Sequence, residues 1–353
     1  MLFCILITRM KIALDAMGGD HAPDVNLIGA RDFLAANKEV ETIFLTGPVE
    51  LLKKEAAAHG LNDPRVEFIE APDVVGMEES GVKSLRRKKN SSIAIATDLV
   101  KKKEAGAVVS AGNTGAAVAA ATVKLRLLKG VLRAGICSSM PNEHGLCNLL
   151  DAGANPEAKP SHLVHYAIMG SVYAREVLKV KDPHVGIMSN GEEDEKGTTF
   201  TKETMVLLNH LVDCGHSNFT FRGNVEGHDL FQTKLDVCLC DGFTGNIVLK
   251  SCEATAKAMG KWMKEEFKKN PVRIAGALMG KGAFKAVKER TSYETVGGSP
   301  LLGVNGVCII CHGGSSALAI KNALRVAATA IKFEVNPKIE QAIHDATLPS
   351  SVE

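Results

Sequence analysis

The sequence is poor in aromatic side chains, in net charge and in paired cysteines, and each shortage closes off a class of function. Aromatic residues make up 5% of the chain, too few for the stacking platforms on which single-stranded nucleic acids are held. The formal net charge is +2, so overall charge names no partner and only local clusters can. Nine cysteines form no paired spacing that would hold zinc. Cys238 and Cys240 sit two apart in an apolar run, which places both on one face of a strand as small core residues. Cys308 and Cys311 are not repeated as a second pair. Thiols scattered in this way suit a reducing, cytoplasmic compartment. The apolar run at the start, 2–7, is too short to span a bilayer and lacks the basic leader and cleavage site of a signal peptide. Residues 1–9 read as an extension, with translation expected to start at Met10, which opens a strand-like Met-Lys-Ile-Ala-Leu-Asp. N-terminal sequencing of the native protein would decide it.

What the chain does have is length, glycine and a regular alternation. It has 353 residues, 45% of them hydrophobic and 33 of them Gly, enough for one large α/β domain or two sharing a cleft. Strand-like runs are Ile12–Asp15, Thr42–Leu45, Val66–Ile69, Ala107–Ser110, Leu149–Asp151, Val185–Met188, Asn218–Phe221, Val237–Cys240 and Val307–Cys311. Helical stretches fill most gaps: Val25–Ala36, Val49–His59, Ser92–Lys103, Ser161–Leu178, Lys202–Leu211, Gly245–Lys269 and Ser315–Ala330. The alternation predicts an α/β fold, an open and mostly parallel sheet with helices on both faces. A single catalytic domain over 10–333 is expected, with a protruding helical pair at 252–292. Residues 334–353 are left as a tail with one short candidate helix.

The strands end in a recurring way. Asp15 leads into Gly18-Gly19-Asp20-His21, Ser110 into Gly112-Asn113-Thr114-Gly115, and Asp151 into Gly153-Ala-Asn155. Ser189-Asn190-Gly191 precedes an acidic stretch ending at Lys196, Asp241 leads through Thr244 and Gly245 to Asn246, and His312 leads into Gly313-Gly314. In a parallel sheet all six turns would lie along one edge, where open α/β sheets bind ligands. Glycine lets backbone N–H groups approach an anion, and helix amino ends add partial positive charge. Ser110–Gly115 reads as a phosphate cradle, with a tight turn and helix cap as the plainer alternative.

Taken together, Met10–Pro23, Arg86-Arg87-Lys88-Lys89, Ser110–Gly115, Leu150–Asn155, Lys159-Pro160, Gly223–Glu226, Asp241–Asn246 and His312-Gly313 resemble the signatures of PlsX-type phosphate acyltransferases. The match runs in order from Met10 to about Val326. The resemblance implies a fold similar to phosphotransacetylases and isocitrate-dehydrogenase-like enzymes, and a homodimer. It implies transfer of a long-chain acyl group from acyl carrier protein to orthophosphate, yielding acyl-phosphate for phospholipid synthesis. It implies peripheral membrane association near the downstream glycerol-3-phosphate acyltransferase, with no metal or organic cofactor. Departures from the family pattern are Ala134 where Pro is usual, His228 where Gly-Arg or Ala-Arg is common, Thr198-Thr199 for Asn-Glu, and a longer stretch at 207–217.

Phosphate is itself a nucleophile, so the reaction needs positioning and electrostatic preorganisation rather than an acyl-enzyme. Lys196 matches the family lysine proposed to act in catalysis; otherwise it would be a solvated Lys pairing with its acidic neighbours. Asn246 can donate to the oxyanion, or cap a helix. Asp15, Asp151 and Asp241 would repel phosphate and read as orienters of the glycine turns. Gly18, Gly19, Ser110, Gly112, Asn113, Thr114, Gly115, Asn155, Asn190, Thr244 and Gly245 are the phosphate- and substrate-binding candidates. His21 and His312 are proton shuttles or structural histidines.

Two basic regions bear on partners. Lys83, Arg86, Arg87, Lys88 and Lys89 could steer an acidic acyl carrier protein. From 257 to 290 there are ten Lys/Arg against three Glu, a net of +7. Within it Ile274, Leu278 and Phe284 alternate with cations, a pattern that suits a lipid interface or a dimer-forming helix pair. Other readings are a short-chain phosphotransacetylase, an NAD-dependent dehydrogenase, which a missing Gly-x-Gly-x-x-Gly disfavours, and a noncatalytic scaffold at the membrane.

Overall fold

The computed structural model describes residues 10–291 and 293–346, so the leader 1–9 and residues 347–353 lie outside the described residues. Its strands are β1 (Lys11–Asp15), β2 (Thr42–Gly47), β3 (Val66–Glu70), β4 (Ala107–Ser110), β5 (Gly135–Asn142), β6 (Gly145–Leu150), β7 (His184–Met188), β8 (Thr220–Val225), β9 (Val237–Leu239), β10 (Ser299–Leu302) and β11 (Val307–Ile310). The helices are α1 (Asp24–Ala36), α2 (Val49–Ala58), α3 (Gly81–Arg87), α4 (Ser92–Lys101), α5 (Thr114–Ala120), α6 (Pro160–Glu176), α7 (Thr199–Asp213), α8 (Asp229–Gln232), α9 (Gly242–Phe267), α10 (Pro271–Met279), α11 (Lys281–Thr291), α12 (Tyr293–Val296), α13 (Ala317–Lys332) and α14 (Val335–Asp345).

The strands form one mostly parallel open sheet in the order β3-β2-β1-β4-β11-β10-β5-β6-β9-β7-β8. Strand alternation supplies both faces. In β1, Ile12 and Leu14 join one hydrophobic cluster with α1 and α13, while Ala13 joins the opposite cluster with α4 and α5. In the other half, Leu150, Val185, Ile187, Val237 and Leu239 pack under α6, α7 and α14, while Cys147, Leu149, Cys238 and Cys240 face the far side. Cys238 and Cys240 thus share one face as buried core residues. Helix α1 lies so close to α13 that a Cβ at Gly29 would come within 2.7 Å of Ile320.

Two strands absent from the sequence reading change the layout. β10 is antiparallel to both β11 and β5, and β5 is antiparallel to β6. Three successive reversals leave β6, β9, β7 and β8 running opposite to β1, β2, β3, β4 and β11. The six glycine turns therefore do not lie along one edge: three follow β1, β4 and β11 on one side, and three follow β6, β7 and β9 on the other. β5 reads Gly-Ile-Cys-Ser-Ser-Met-Pro-Asn and β10 Ser-Pro-Leu-Leu. One lacks an apolar period and the other is very short, so neither carries a strand signal.

At the carboxyl end, 335–345 is a packed helix and not an unpatterned tail, with Val335, Ile339 and Ile343 buried beneath α6. The protruding segment consists of α9, α10 and α11, separated by short turns at 268–270 and 280. α9 buries only Gly242 and Gly245, α10 buries nothing, and the Phe267 and Phe284 rings meet edge-on at 5.1 Å. Among the described residues no helix is long and apolar enough to cross a membrane.

Candidate functional site

The first group of turns is tightly sewn. Asp15 is buried, and its Oδ2 accepts a 2.6 Å hydrogen bond from Ser110 Oγ, which accepts the Gly112 N–H at 3.1 Å. Burial raises the Asp15 carboxyl above its ordinary value, against the pull of the Ser110 and Ser92 hydroxyls. Among the described residues Asp15 Oδ1 has no hydrogen-bond partner. Asp15, Ser92, Gly112 and Asn113 line a cavity of about 10 Å³, room for a single water. Gly18 packs so closely that a Cβ would stand 2.7 Å from Gly112 N. Gly19 takes a positive φ of 106°, and the next N–H, of Asp20, donates to the Gly313 carbonyl at 2.9 Å.

Above these turns runs a strap, residues 73–89. Asn113 Nδ2 donates to the carbonyls of Met77 at 2.9 Å and Glu79 at 2.8 Å, while its Oδ1 accepts the Ala116 N–H at 3.0 Å. Gly81 crosses the start of α5 at backbone contact, since a Cβ there would lie 2.3 Å from Ala116 N. Lys88 donates to the Val74 carbonyl and pairs with Glu79. Lys88 is the main cause holding the Glu79 carboxyl at about 2, helped by the Gly76 N–H and Ser84. Ser110, Gly112 and Asn113 are therefore engaged by protein partners, as the tight-turn reading has it. Thr114 and Gly115 are exposed, and so is His21 at the start of α1.

The second group is built on Asp151. Its buried carboxylate accepts Ile136 N at 3.0 Å, Gly153 N at 3.0 Å and Ala154 N at 2.9 Å on one oxygen, and Asn155 N at 2.6 Å and Nδ2 at 3.1 Å on the other. Asn155 Nδ2 also reaches the Ala134 carbonyl and the Tyr166 hydroxyl. Asp241 caps α9, its Oδ1 accepting Phe243 N and Thr244 N and its Oδ2 the Thr244 hydroxyl. The first turn of α9 docks on the Asp151 loop. A Cβ at Gly245 would stand 2.0 Å from the Asp151 carbonyl, and one at Gly242 2.8 Å from the Asn155 backbone. So α9 begins at Gly242 rather than at 245, and Asn246 is not its cap. Asn246 is exposed beside Gly153.

The neighbouring loop after β7 carries Lys196. Asn190 Oδ1 accepts the Gly197 N–H at 2.9 Å, and the buried Asn224 ties down the Glu193 carbonyl at 2.9 Å. The Lys196 stem lies over Gly191, and its ammonium is exposed. Among the described residues it pairs with none of the four acidic residues before it. Since β6, β9 and β7 are parallel neighbours, Asp151, Asn246 at the head of α9 and Lys196 follow adjacent strands at one edge.

Helix α9 joins the two groups. His312, after β11, has a pKa lowered first by burial and then by Lys250, with Lys257 adding and Glu253 and Asp20 opposing. The rise from Asn246 to Glu253 is about 10 Å, so the two sets of loops face each other over roughly that span. Between them, Ala116, Ala117, Ala152 and the half-buried Ala154 and Leu249 belong to one apolar cluster. Gly314 N–H donates to His312 Nδ1 at 3.1 Å, which leaves the proton of the neutral ring on Nε2. Two groups bring His and carboxylate atoms within metal-ligand reach among the described residues, Asp24/Glu55/His59 and Glu192/His228/Asp229, each partly exposed.

Residues 10–338 match the family described as fatty acid synthesis protein. The chain belongs to that family. It is 59% identical over 332 residues to the phosphate acyltransferase of Akkermansia muciniphila, covering 94% of this chain and 95% of that protein. It is 44% identical over 332 residues to the phosphate acyltransferase of Geobacter sulfurreducens, covering 94% of each. Among solved structures, the EutD phosphotransacetylase of Staphylococcus aureus shares the fold with a TM-score of 0.61 at 18% identity, over 92% of this chain and 94% of that one. A phosphotransacetylase from Streptococcus pyogenes does so at 0.62 and 16%, with the same coverage.

The departures from the family pattern fall where the fold absorbs them. Ala134 acts through its carbonyl, which proline also carries. Thr198 caps α7 by accepting the Thr201 N–H, Thr199 opens that helix, and 207–217 spans its end and the following turn. His228 sits among carboxylates, 3.8 Å from Glu192, 3.7 Å from Glu226 and 3.6 Å from Asp229. Arg133, Lys159 and Tyr166, missing from the sequence-derived site residues, stand beside the Asp151 loop. Lys159-Pro160 was visible as a motif, but its neighbours were not.

Proposed function

We propose that the protein transfers an acyl group from the thioester of an acyl carrier protein to orthophosphate, giving acyl-phosphate for phospholipid synthesis. The supporting observation is Lys196, exposed and without an ion pair among the described residues, on the loop beside the exposed Asn246, within the family whose relatives are named phosphate acyltransferase. A phosphate oxygen attacks the thioester carbonyl, the C–O bond forms, and the tetrahedral oxyanion collapses with loss of the C–S bond. The proton of hydrogen phosphate ends on the departing thiol, and the neutral His312 can offer its Nε2–H only as a hydrogen bond. Lys196 offsets phosphate and oxyanion charge, Asn246 donates to the oxyanion, and Asp151 and Asp241 orient the loops that carry them.

Carrier docking is assigned to the exposed Lys83, Arg86, Arg87 and Lys89 on and beside α3, whereas Lys88 is tied into the strap. A lipid surface is assigned to the α10–α11 tip, where Met279 is 90% and Leu278 68% exposed, with Ile274 and Phe284 alongside. The exposed Met259, Trp262 and Met263 on α9 suit a homodimer contact. A cytoplasmic enzyme held at the membrane surface would then hand its product to a glycerol-3-phosphate acyltransferase. The test is to incubate the pure protein with acyl-carrier thioester and phosphate and trap the product with hydroxylamine. Product formed without phosphate, or none at all, removes the reading. Lys196→Ala and Asn246→Ala should each lower turnover about tenfold or more; near-normal turnover in both would remove the assignments.

A further inference from the structure

Arg133 and Lys159 are 26 positions apart, and the fold brings both near His162 and the Asp151 loop. Arg133 comes just before β5, and β5 runs antiparallel to β6, so Arg133 lies at the edge where the Asp151 loop begins. The adjoining Ala134 carbonyl is held by Asn155 Nδ2 at 2.5 Å and by the Tyr166 hydroxyl at 3.3 Å. Lys159 precedes α6, and its backbone N–H donates to His162 Nδ1 at 3.0 Å. After burial, the charges that lower the His162 pKa are Arg133 and then Lys159, and no carboxylate opposes them. The same Arg133 acts on Tyr166.

Both side chains are exposed, and among the described residues neither forms an ion pair. Asp151, the carboxylate at the head of this loop, has both oxygens turned to backbone and amide donors of its own loop and β5. Two exposed cations and the amino end of a 17-residue helix lie beside the Asp151 loop, on the edge that also carries Lys196 and Asn246. Arginine's planar fork suits two oxygens of a tetrahedral anion, and lysine adds a point charge.

We propose that Arg133 and Lys159 form a phosphate subsite, whose occupant is either orthophosphate or the phosphodiester of the carrier's pantetheine arm. The two sources share one chemistry, and their identity rests on the acyl-transfer reading; the binding itself does not. Arg133→Gln and Lys159→Gln are compared with wild type, with Arg133→Lys as a partial rescue and thermal unfolding as the check on folding. Inorganic phosphate binding is measured by ³¹P line broadening, which needs no turnover. The KM values for phosphate, for acyl-carrier protein and for an acyl-pantetheine lacking the phosphodiester are measured separately.

If orthophosphate occupies the subsite, both Gln variants lose phosphate binding and raise the phosphate KM about tenfold or more, leaving the carrier KM unchanged. If the arm occupies it, the carrier KM rises by that factor while phosphate binding and the acyl-pantetheine KM stay put. Unchanged phosphate binding together with unchanged KM values in folded variants overturns the subsite. Should the protein form no acyl-phosphate at all, loss of ³¹P broadening in the variants still upholds the subsite, and undiminished or absent broadening overturns it.

Discussion

Replacing Asp151 by Asn alters one atom and should cost the protein much of its stability. The carboxylate is fully buried and accepts five hydrogen bonds, three on one oxygen and two on the other. The less costly amide orientation turns its NH2 toward Asn155, whose side chain still has Ala134 and Tyr166 but whose backbone N–H is stranded. A stranded buried donor costs about 1–3 kcal/mol, and each of the three remaining bonds loses charge assistance worth roughly 1 kcal/mol. The expected loss is about 4 kcal/mol or more, a large share of the roughly 5–15 kcal/mol a domain has. Urea unfolding followed by circular dichroism measures it. Asp241→Asn is the comparison: that half-buried carboxylate caps a helix, and Asn caps about as well as Asp, so the loss should stay below about 1 kcal/mol. A loss below about 1 kcal/mol in Asp151→Asn, or equal losses in the two variants, would refute the reasoning.

Three further outcomes follow from the same structure. His165 is held neutral down to about 4, chiefly by burial, with Nδ1 accepting the Leu132 N–H at 3.2 Å. Between about 6.5 and 4 the unfolded chain binds a proton the folded one does not, so stability should fall by about 1.4 kcal/mol per pH unit on acidification. Denaturation midpoints across that window should flatten in His165→Gln, and an unchanged slope would exclude His165 as the source. Gly245→Ala should push α9 off the Asp151 carbonyl, at a cost of about 1–3 kcal/mol and with reduced acyl-phosphate formation; wild-type thermal stability would show that the close approach does not matter. Leu278→Glu should weaken co-sedimentation with anionic liposomes without lowering turnover on soluble substrate, and equal binding would count against a lipid-facing tip.

Much of the fold was legible because it rests on local pattern. Apolar strands closed by Gly and Asp gave β1, β2, β3, β4, β7, β9 and β11 nearly to the residue. Long apolar periods marked α1, α6 and α13. β8 was misplaced because its latter half, Gly-Asn-Val, looks like a turn. α14 was underread because its three buried residues are spaced four apart among polar ones. At the site, the helix cap that was the alternative role of Asn246 belongs to Asp241. Sequence places an Asn at the head of a helix, but only the backbone shows that Asp241 already holds the first N–H groups.

The larger gap lies in direction. Two short or irregular strands, β5 and β10, reverse the sheet three times and divide one expected edge into two. A residue's edge is set by the sense of every strand between it and its neighbour, and no local pattern encodes that product. The division reassigns the work of the turns. Those after β1, β4 and β11 bond one another and the strap, while those after β6, β7 and β9 carry exposed Lys196 and Asn246 and stand next to Arg133 and Lys159. A cation's want of a partner is likewise a fact of three dimensions. Lys196 follows four consecutive acidic residues in sequence and pairs with none of them, whereas Lys88, one basic residue among five from 83 to 89, is bound to Glu79. Charge counted along the chain would rank these two lysines the wrong way round for anion binding; charge counted in space leaves Lys196 exposed on the edge built around Asp151 and Lys88 bound.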